Sequence, residues 1–142
     1  MDAGIRKKLA EELELDEGFR SSVYQDSLGY FTIGIGRMVD KRLGGGISLA
    51  EARFLLSNDI EEKDREVGDL LSFDPIRRAA LLNMYFQMGK GRVMQFKQMM
   101  EAIGRKDWEA AARAGLDSKW ARQTPARAKR VMEQLRTGQW QR

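Results

Sequence analysis

The chain has 142 residues, 42% of them hydrophobic, with 25 Lys and Arg against 21 Asp and Glu for a formal net charge of +4. It contains neither cysteine nor histidine, which excludes a disulfide framework, thiolate chemistry, histidine general bases and histidine metal sites. Any catalysis falls to carboxylates, Lys, Tyr, hydroxyls or backbone dipoles, in a chain of the size of one domain.

Ile5, Leu9 and Leu13 repeat at i, i+4 spacing and predict an amphipathic helix from about Ala3 to Leu15, ending near Gly18, with these three on its buried stripe. The next step of that ladder is Glu17, a carboxylate where a further apolar residue is expected. Burial disfavours the charged form and raises the pKa, which suits a general acid. Nine residues later Asp26 lies in the polar turn segment Tyr24-Gln25-Asp26-Ser27-Leu28-Gly29. Two carboxylates in unlike surroundings can divide acid and base work.

Phe19, Val23, Tyr24, Tyr30, Phe31, Thr32, Ile33 and Ile35 are β-formers flanking that turn, so residues 19–36 read as a β-hairpin, with a third strand near Arg37 to Val39. The glycines of Leu43-Gly44-Gly45-Gly46-Ile47 lack the Lys-Ser or Lys-Thr of a phosphate loop and mark a plain connection. Ser48-Leu49-Ala50-Glu51 matches a capping box and opens a helix reaching about Val67, long enough to bridge two lobes. Asp74-Pro75 opens the next helix. Its residues Ala79, Ala80, Leu81, Leu82, Met84, Tyr85, Phe86 and Met88 are apolar on several faces, which predicts a central, buried helix ended by Gly89 and Gly91.

Shorter helices follow: Val93 to Ile103 stopping at Gly104, Trp108 to Ala114 capped by Asp107, and a last one opened by Thr124-Pro125, running through Arg136 and closed by Gly138. A helix, a small sheet and then five or so helices make the fold class α+β, mostly α. The early segment is acidic (Glu11, Glu12, Glu14, Asp16, Glu17) and the C-terminal part basic (Arg113, Lys119, Arg122, Arg127, Lys129, Arg130, Arg136). Net positive charge favours an anionic partner, with nucleic acid, cell-wall polymer and acidic lipid all open. No apolar run of signal-peptide length follows the N-terminal basic residues, and no stretch approaches the roughly twenty apolar residues of a membrane span. A soluble chain without its own export signal and without stable membrane insertion is the expectation. Taken singly, Asp26 reads as a turn residue, Thr32 as an ordinary strand threonine, Phe86, Met88, Met99 and Met100 as core, and the C-terminal basic run as a solvated face.

Three ordered blocks change that reading. Glu17, Asp26 and Thr32 are separated by eight and five residues; Arg77-Arg78-Ala79-Ala80 precedes Asn83-Met84 and Phe86-Gln87-Met88-Gly89; Trp120 precedes Gln123-Thr124-Pro125 and Arg127-Ala128-Lys129-Arg130-Val131. With Arg136-Thr137-Gly138 and Trp140 they resemble the phage-type lysozymes, the T-even phage lysozyme family of endolysins, over nearly the whole chain. The resemblance implies a lysozyme-like single domain spanning 1–142. A small β-hairpin lobe (about 17–60) and a larger helical lobe (1–16 and 61–142) would be joined by the long helix, with the active-site cleft between them. It implies a muramidase cutting the β-1,4 bond between N-acetylmuramic acid and N-acetylglucosamine of peptidoglycan with inversion. In that scheme Glu17 is the general acid, and Asp26 and Thr32 position or activate the water.

The same resemblance places Met38 and Phe86 beside the cleft and Met99 and Ala114 at saccharide contacts where relatives carry polar residues. It brings Arg127 toward Glu17, where a cation lowers the pKa that burial raises. Arg37 stands where a histidine is usual, with Asp59 as its expected ion partner. No metal or other cofactor is implied. A monomer is expected, held in the bacterial host cytoplasm until a holin releases it to the wall. Two other classes compete: a non-catalytic wall-binding or tail-associated relative, which the intact trio argues against, and a basic nucleic-acid binder, which lacks a recognition motif and carries an acidic early segment.

Overall fold

The computed structural model describes residues 3–25, 29–34, 37–40 and 46–141. Helix α1 (Ala3–Glu17) is followed by strands β1 (Arg20–Gln25), β2 (Phe31–Gly34) and β3 (Arg37–Asp40), then by helices α2 (Leu49–Val67), α3 (Pro75–Met88), α4 (Lys90–Val93), α5 (Lys97–Gly104), α6 (Trp108–Leu116), α7 (Lys119–Gln123) and α8 (Pro125–Thr137). The class is α+β and mostly α, as expected, and the strands form one antiparallel sheet in the order β1-β2-β3. The chain divides into two compact units, 1–53 and 54–142.

In the first unit α1 runs two residues past the predicted Leu15. Gly18 ends it in the left-handed conformation (φ 69°), its N–H donating to Glu14 O at 2.9 Å. Leu13, expected on a buried stripe, is 45% exposed. Charged residues at Glu11, Glu12 and Glu14 leave an apolar face too narrow to define a packed side. The side chains of Ile5 and Leu9 lie outside the described residues, as does the turn 26–28. The predicted third strand is present as β3. The capping box forms as read: Ser48 N donates to Glu51 Oε2 at 2.8 Å and Glu51 N to Ser48 Oγ at 3.2 Å. That amide bond is the main force holding the Glu51 carboxyl below its ordinary range. Arg37 Nη2 pairs with Glu51 Oε1 at 2.6 Å, two turns before the Asp59 expected to partner it.

The second unit holds the core. Ala80, Leu81, Met84 and Tyr85 of α3 are buried together with Val93, Met99, Ala102, Ile103, Ala111, Ala112, Trp120, Ala128, Val131, Met132 and Leu135. Helix α8 packs on α3, α6 and α7, and α5 packs on α6. Helix α3 is not buried all round as predicted: Ala80, Leu81, Met84 and Tyr85 are buried and Leu82 and Met88 pack partly against the core, but Phe86 is 46% exposed.

The predicted helix Val93–Ile103 is split. Val93 closes α4 fully buried, Phe96 turns the chain, and α5 starts at Lys97, an arrangement that lets both Val93 and Phe96 pack inward. Caps are read correctly at Asp74, whose Oδ1 accepts from Arg77 N at 3.1 Å, and at Asp107, whose Oδ1 accepts from Ala110 N at 3.1 Å. Thr124 caps α8 by position alone, since its hydroxyl donates back to Trp120 O at 3.0 Å. Arg77 ties the end of α8 down: Nε donates to Leu135 O at 2.7 Å, Nη2 to Arg136 O at 2.8 Å, and the guanidinium lies 4.3 Å from the Trp108 ring centroid.

Candidate functional site

Two regions carry the residues singled out from the sequence. In the first unit, Glu17 is the last residue of α1, and two residues separate it from the start of β1. Its side chain lies outside the described residues, and so does the whole of Asp26, which follows β1 in the chain.

Thr32 is described in full. It sits in β2, the central strand, as Cα partner of Tyr24 on β1 and of Met38 on β3. The register slips beside it on both sides, between Arg20 and Tyr24 and between Phe31 and Thr32. Such bulges re-aim side chains next to functional sites. Thr32 is 3% exposed and is the buried polar residue among those described. Its Oγ1 donates to Tyr30 O at 3.1 Å. A hydroxyl has one proton to give and two lone pairs. With its proton committed to Tyr30, Thr32 is left to act as an acceptor toward a water or sugar hydroxyl. Met38, expected beside the cleft, is brought opposite Thr32 across the strand pair; its side chain lies outside the described residues.

In the second unit, α3 presents Asn83, Phe86, Gln87 and Met88 in succession. Asn83 anchors Arg127 of α8: Arg127 Nε donates to Asn83 Oδ1 at 2.9 Å and Nη2 to Asn83 O at 3.5 Å. Gln87 Oε1 accepts from Trp120 Nε1 at 2.8 Å. That bond commits the amide oxygen and leaves the Gln87 NH2 as the available end, a donor. Trp120 meets Phe96 edge to face, with ring centroids 6.2 Å apart and planes at 81°.

These side chains border a cleft of about 970 Å³ within the second unit, walled by Gln87, Met88, Phe96, Met99, Ala114 and Trp120 and rimmed by Arg92, Lys97, Lys119 and Asp117. Of the four contacts expected for substrate, Met99 and Ala114 line this cleft, Phe86 does not, and Met38 belongs to the first unit; the supporting residue Arg127 is not part of the lining either. Met99 is only 1% exposed, so it forms the floor and is also part of the core.

Gln87 and Trp120 were quoted in the sequence blocks but not singled out as site residues, since nothing in their spacing reveals the bond between them. Arg92 and Lys97 carried no sequence signal, because the turn that brings them to one rim depends on the break between α4 and α5. Among the described residues no three acidic side chains gather as a metal site, and no helix is long and apolar enough to cross a membrane.

The phage lysozyme family profile matches residues 14–138. The chain is 36% identical to the pre-baseplate central spike protein Gp5 of Enterobacteria phage T4, covering 96% of this chain but 29% of that protein. It is 31% identical to probable T4-type lysozyme 1 of Dictyostelium discoideum, covering 92% of this chain and 94% of the relative. It is 29% identical to peptidoglycan hydrolase gp36 of Pseudomonas phage phiKMV, covering 88% of this chain and 15% of that protein. The chain thus spans under a third of the two longer phage proteins and nearly all of the Dictyostelium one. With the profile running across both units and two relatives above 30% identity aligned over nearly all of its length, this chain belongs to the phage lysozyme family of glycoside hydrolases.

Proposed function

We propose that the chain is a muramidase that hydrolyses the β-1,4 bond between N-acetylmuramic acid and N-acetylglucosamine in bacterial peptidoglycan, with inversion at the anomeric carbon. The family supplies the reaction class, and a relative named a peptidoglycan hydrolase supports the polymer. The observation that carries the mechanism is Thr32: a buried strand hydroxyl whose proton is already donated to Tyr30 O. It can accept a hydrogen bond from a water and so orient the oxygen lone pair toward a sugar carbon.

In this reading Glu17 gives its proton to the glycosidic oxygen as the bond to the anomeric carbon breaks. Asp26 takes a proton from the water that Thr32 holds, and that water attacks from the opposite face. Inversion requires the two carboxyl groups to stand about 6.5–9.5 Å apart, leaving room for the water. Arg127, held by Asn83, is the proposed supporting cation of the site. Met38 and Phe86 are the proposed contacts to the sugar chain. Met99 and Ala114 border its further course. The chain works as a monomer without a cofactor and reaches the wall from the cytoplasm through a holin pore.

Digestion of purified peptidoglycan followed by mass spectrometry of the products tests this. N-acetylmuramic acid at the new reducing ends is expected, with the α-anomer appearing first by NMR. N-acetylglucosamine reducing ends or cut peptide bonds would overturn the reaction, and a first-formed β-anomer would overturn inversion alone.

A further inference from the structure

The methionines of the second unit differ in what surrounds their sulfur. Met84, Met99 and Met132 are fully buried and Met88 and Met100 half-buried, whereas Met94 is 47% exposed. Met94 follows α4, and its backbone is pinned. Its own N–H donates to Lys90 O at 3.0 Å, Gln95 N to Arg92 O at 3.1 Å and Phe96 N to Val93 O at 3.0 Å, with the Val93 side chain buried in the core. The far end of Met94 is held as well, because Tyr85 Oη donates to Met94 Sδ at 3.6 Å. Tyr85 is buried, and desolvation first and the Glu66 charge second push its pKa up, so the hydroxyl keeps its proton and stays a donor. Met94 stands apart from the cleft, whose lining includes Met88 and Met99.

A thioether sulfur carries two lone pairs, and oxygen transfer to one or the other gives opposite sulfoxide epimers. Tyr85 engages one of them from the core side. The other is left toward solvent, with the side chain fixed at both ends. We propose that Met94 is a site of reversible oxidation by hydroperoxides, and that the Tyr85 hydrogen bond directs it to one sulfoxide epimer, which a single class of methionine sulfoxide reductase repairs. The step is a two-electron oxygen transfer. With hydrogen peroxide, the free sulfur lone pair attacks one peroxide oxygen, the O–O bond breaks, and the proton of the transferred hydroxyl passes to the departing hydroxide. Sulfur is oxidised to the sulfoxide and peroxide is reduced to water. The new polar oxygen is solvated at this half-exposed position, whereas at Met84, Met99 or Met132 it would enter the core without a partner. Each epimer has its own reductase, so the geometry at one sulfur selects the repair enzyme. None of this depends on the sugar chemistry.

Two measurements decide it. In the first, the whole chain is treated briefly with hydrogen peroxide, and peptide mass spectrometry ranks the described methionines. Met94 is expected to oxidise ahead of Met88 and Met100, with an unchanged thermal midpoint. Oxidation of Met88 or Met100 ahead of Met94 overturns the site.

In the second, the oxidised chain is unfolded and treated separately with reductases of the two epimer specificities, and the Met94 sulfoxide that remains is quantified. Freeing a lone pair from a hydrogen bond of ordinary net strength corresponds to about three- to fivefold, which is the epimer excess expected. The reference is the isolated peptide Val93-Met94-Gln95-Phe96-Lys97 oxidised alone, where a ratio near one is expected. A ratio in the intact chain equal to that of the peptide overturns the epimer selection. So does a Tyr85→Phe variant, shown to be folded by circular dichroism, that keeps the excess.

Discussion

The two units are built on opposite principles. Among the described residues of 1–53 only Thr32 is buried, while 54–142 contains a continuous core from Val67 to Leu135. The residues proposed to break the sugar bond, Glu17, Asp26 and Thr32, belong to the first unit; the cleft, its cations and most of the hydrophobic stabilisation belong to the second. Chemistry proposed in one unit and a buried core described in the other should respond to different mutations. That separation is open to experiment.

The largest effect is expected at Glu17. Replacing it with Gln removes the proton donor, and general acid catalysis contributes about 10²–10⁴-fold; a loss near 10³-fold in reducing-end release is predicted with an unchanged thermal midpoint. A variant that melts much earlier would place Glu17 in the stability of the fold and break the comparison. The mirror experiment is Leu81→Ala, at a position that is 1% exposed. Emptying such a site costs about 2–5 kcal/mol, read by urea unfolding, while activity per folded molecule is retained. Gly115→Ala comes next. A Cβ there would lie 2.2 Å from Met132 Sδ and 3.3 Å from Met99 Sδ, and overpacking of this kind costs about 1–3 kcal/mol.

Helix caps sharpen the contrast because a side-chain cap can be tested in each unit. At Asp74, burial pushes the carboxyl up, but hydrogen bonds from the Arg77 side chain and backbone N–H outweigh it and hold the group below its ordinary value. Asp74→Ala is expected to cost about 1–2 kcal/mol at neutral pH. Because the folded-state pKa is depressed, this stabilisation is present above the unfolded value. It fades as pH falls below about 4 and through the folded value. Melting curves of wild type and variant should therefore converge on acidification; a constant gap would remove the ion-pair account. The exposed capping box of the first unit gives the smallest effect: Ser48→Ala is expected to cost about 0.5 kcal/mol. A larger loss there than at Asp74 would reverse the ranking of the two units.

Much of the local structure was legible in the residues. Asp74, Asp107 and the Ser48/Glu51 pair announce helix starts by chemistry confined to one turn. Gly18 and Gly138 announce ends by adopting φ 69°. These signals are short-range, so no distant contact is needed to read them. The misreadings have the opposite character. Helix α6 was expected to stop at Ala114, before a glycine; it continues to Leu116 because Gly115 is where Met132 packs. Helix α3 was expected to be buried all round, but apolar composition does not say which faces find partners, and Phe86 finds none of the core. The pairing of Arg37 with Glu51 instead of Asp59 likewise depends on where β3 runs beside α2.

By itself the sequence determined the order and type of most elements, the family, and the spacing of Glu17, Asp26 and Thr32, because these rest on composition, periodicity and capping within a few residues of chain. Tertiary structure alone decided that Thr32 has its proton committed to Tyr30, that Gln87 has turned its oxygen to Trp120 across 33 residues, and that Arg92, Lys97 and Lys119 share one rim. Hydrogen-bond direction and charge proximity are properties of distances between side chains, and only packing sets those distances.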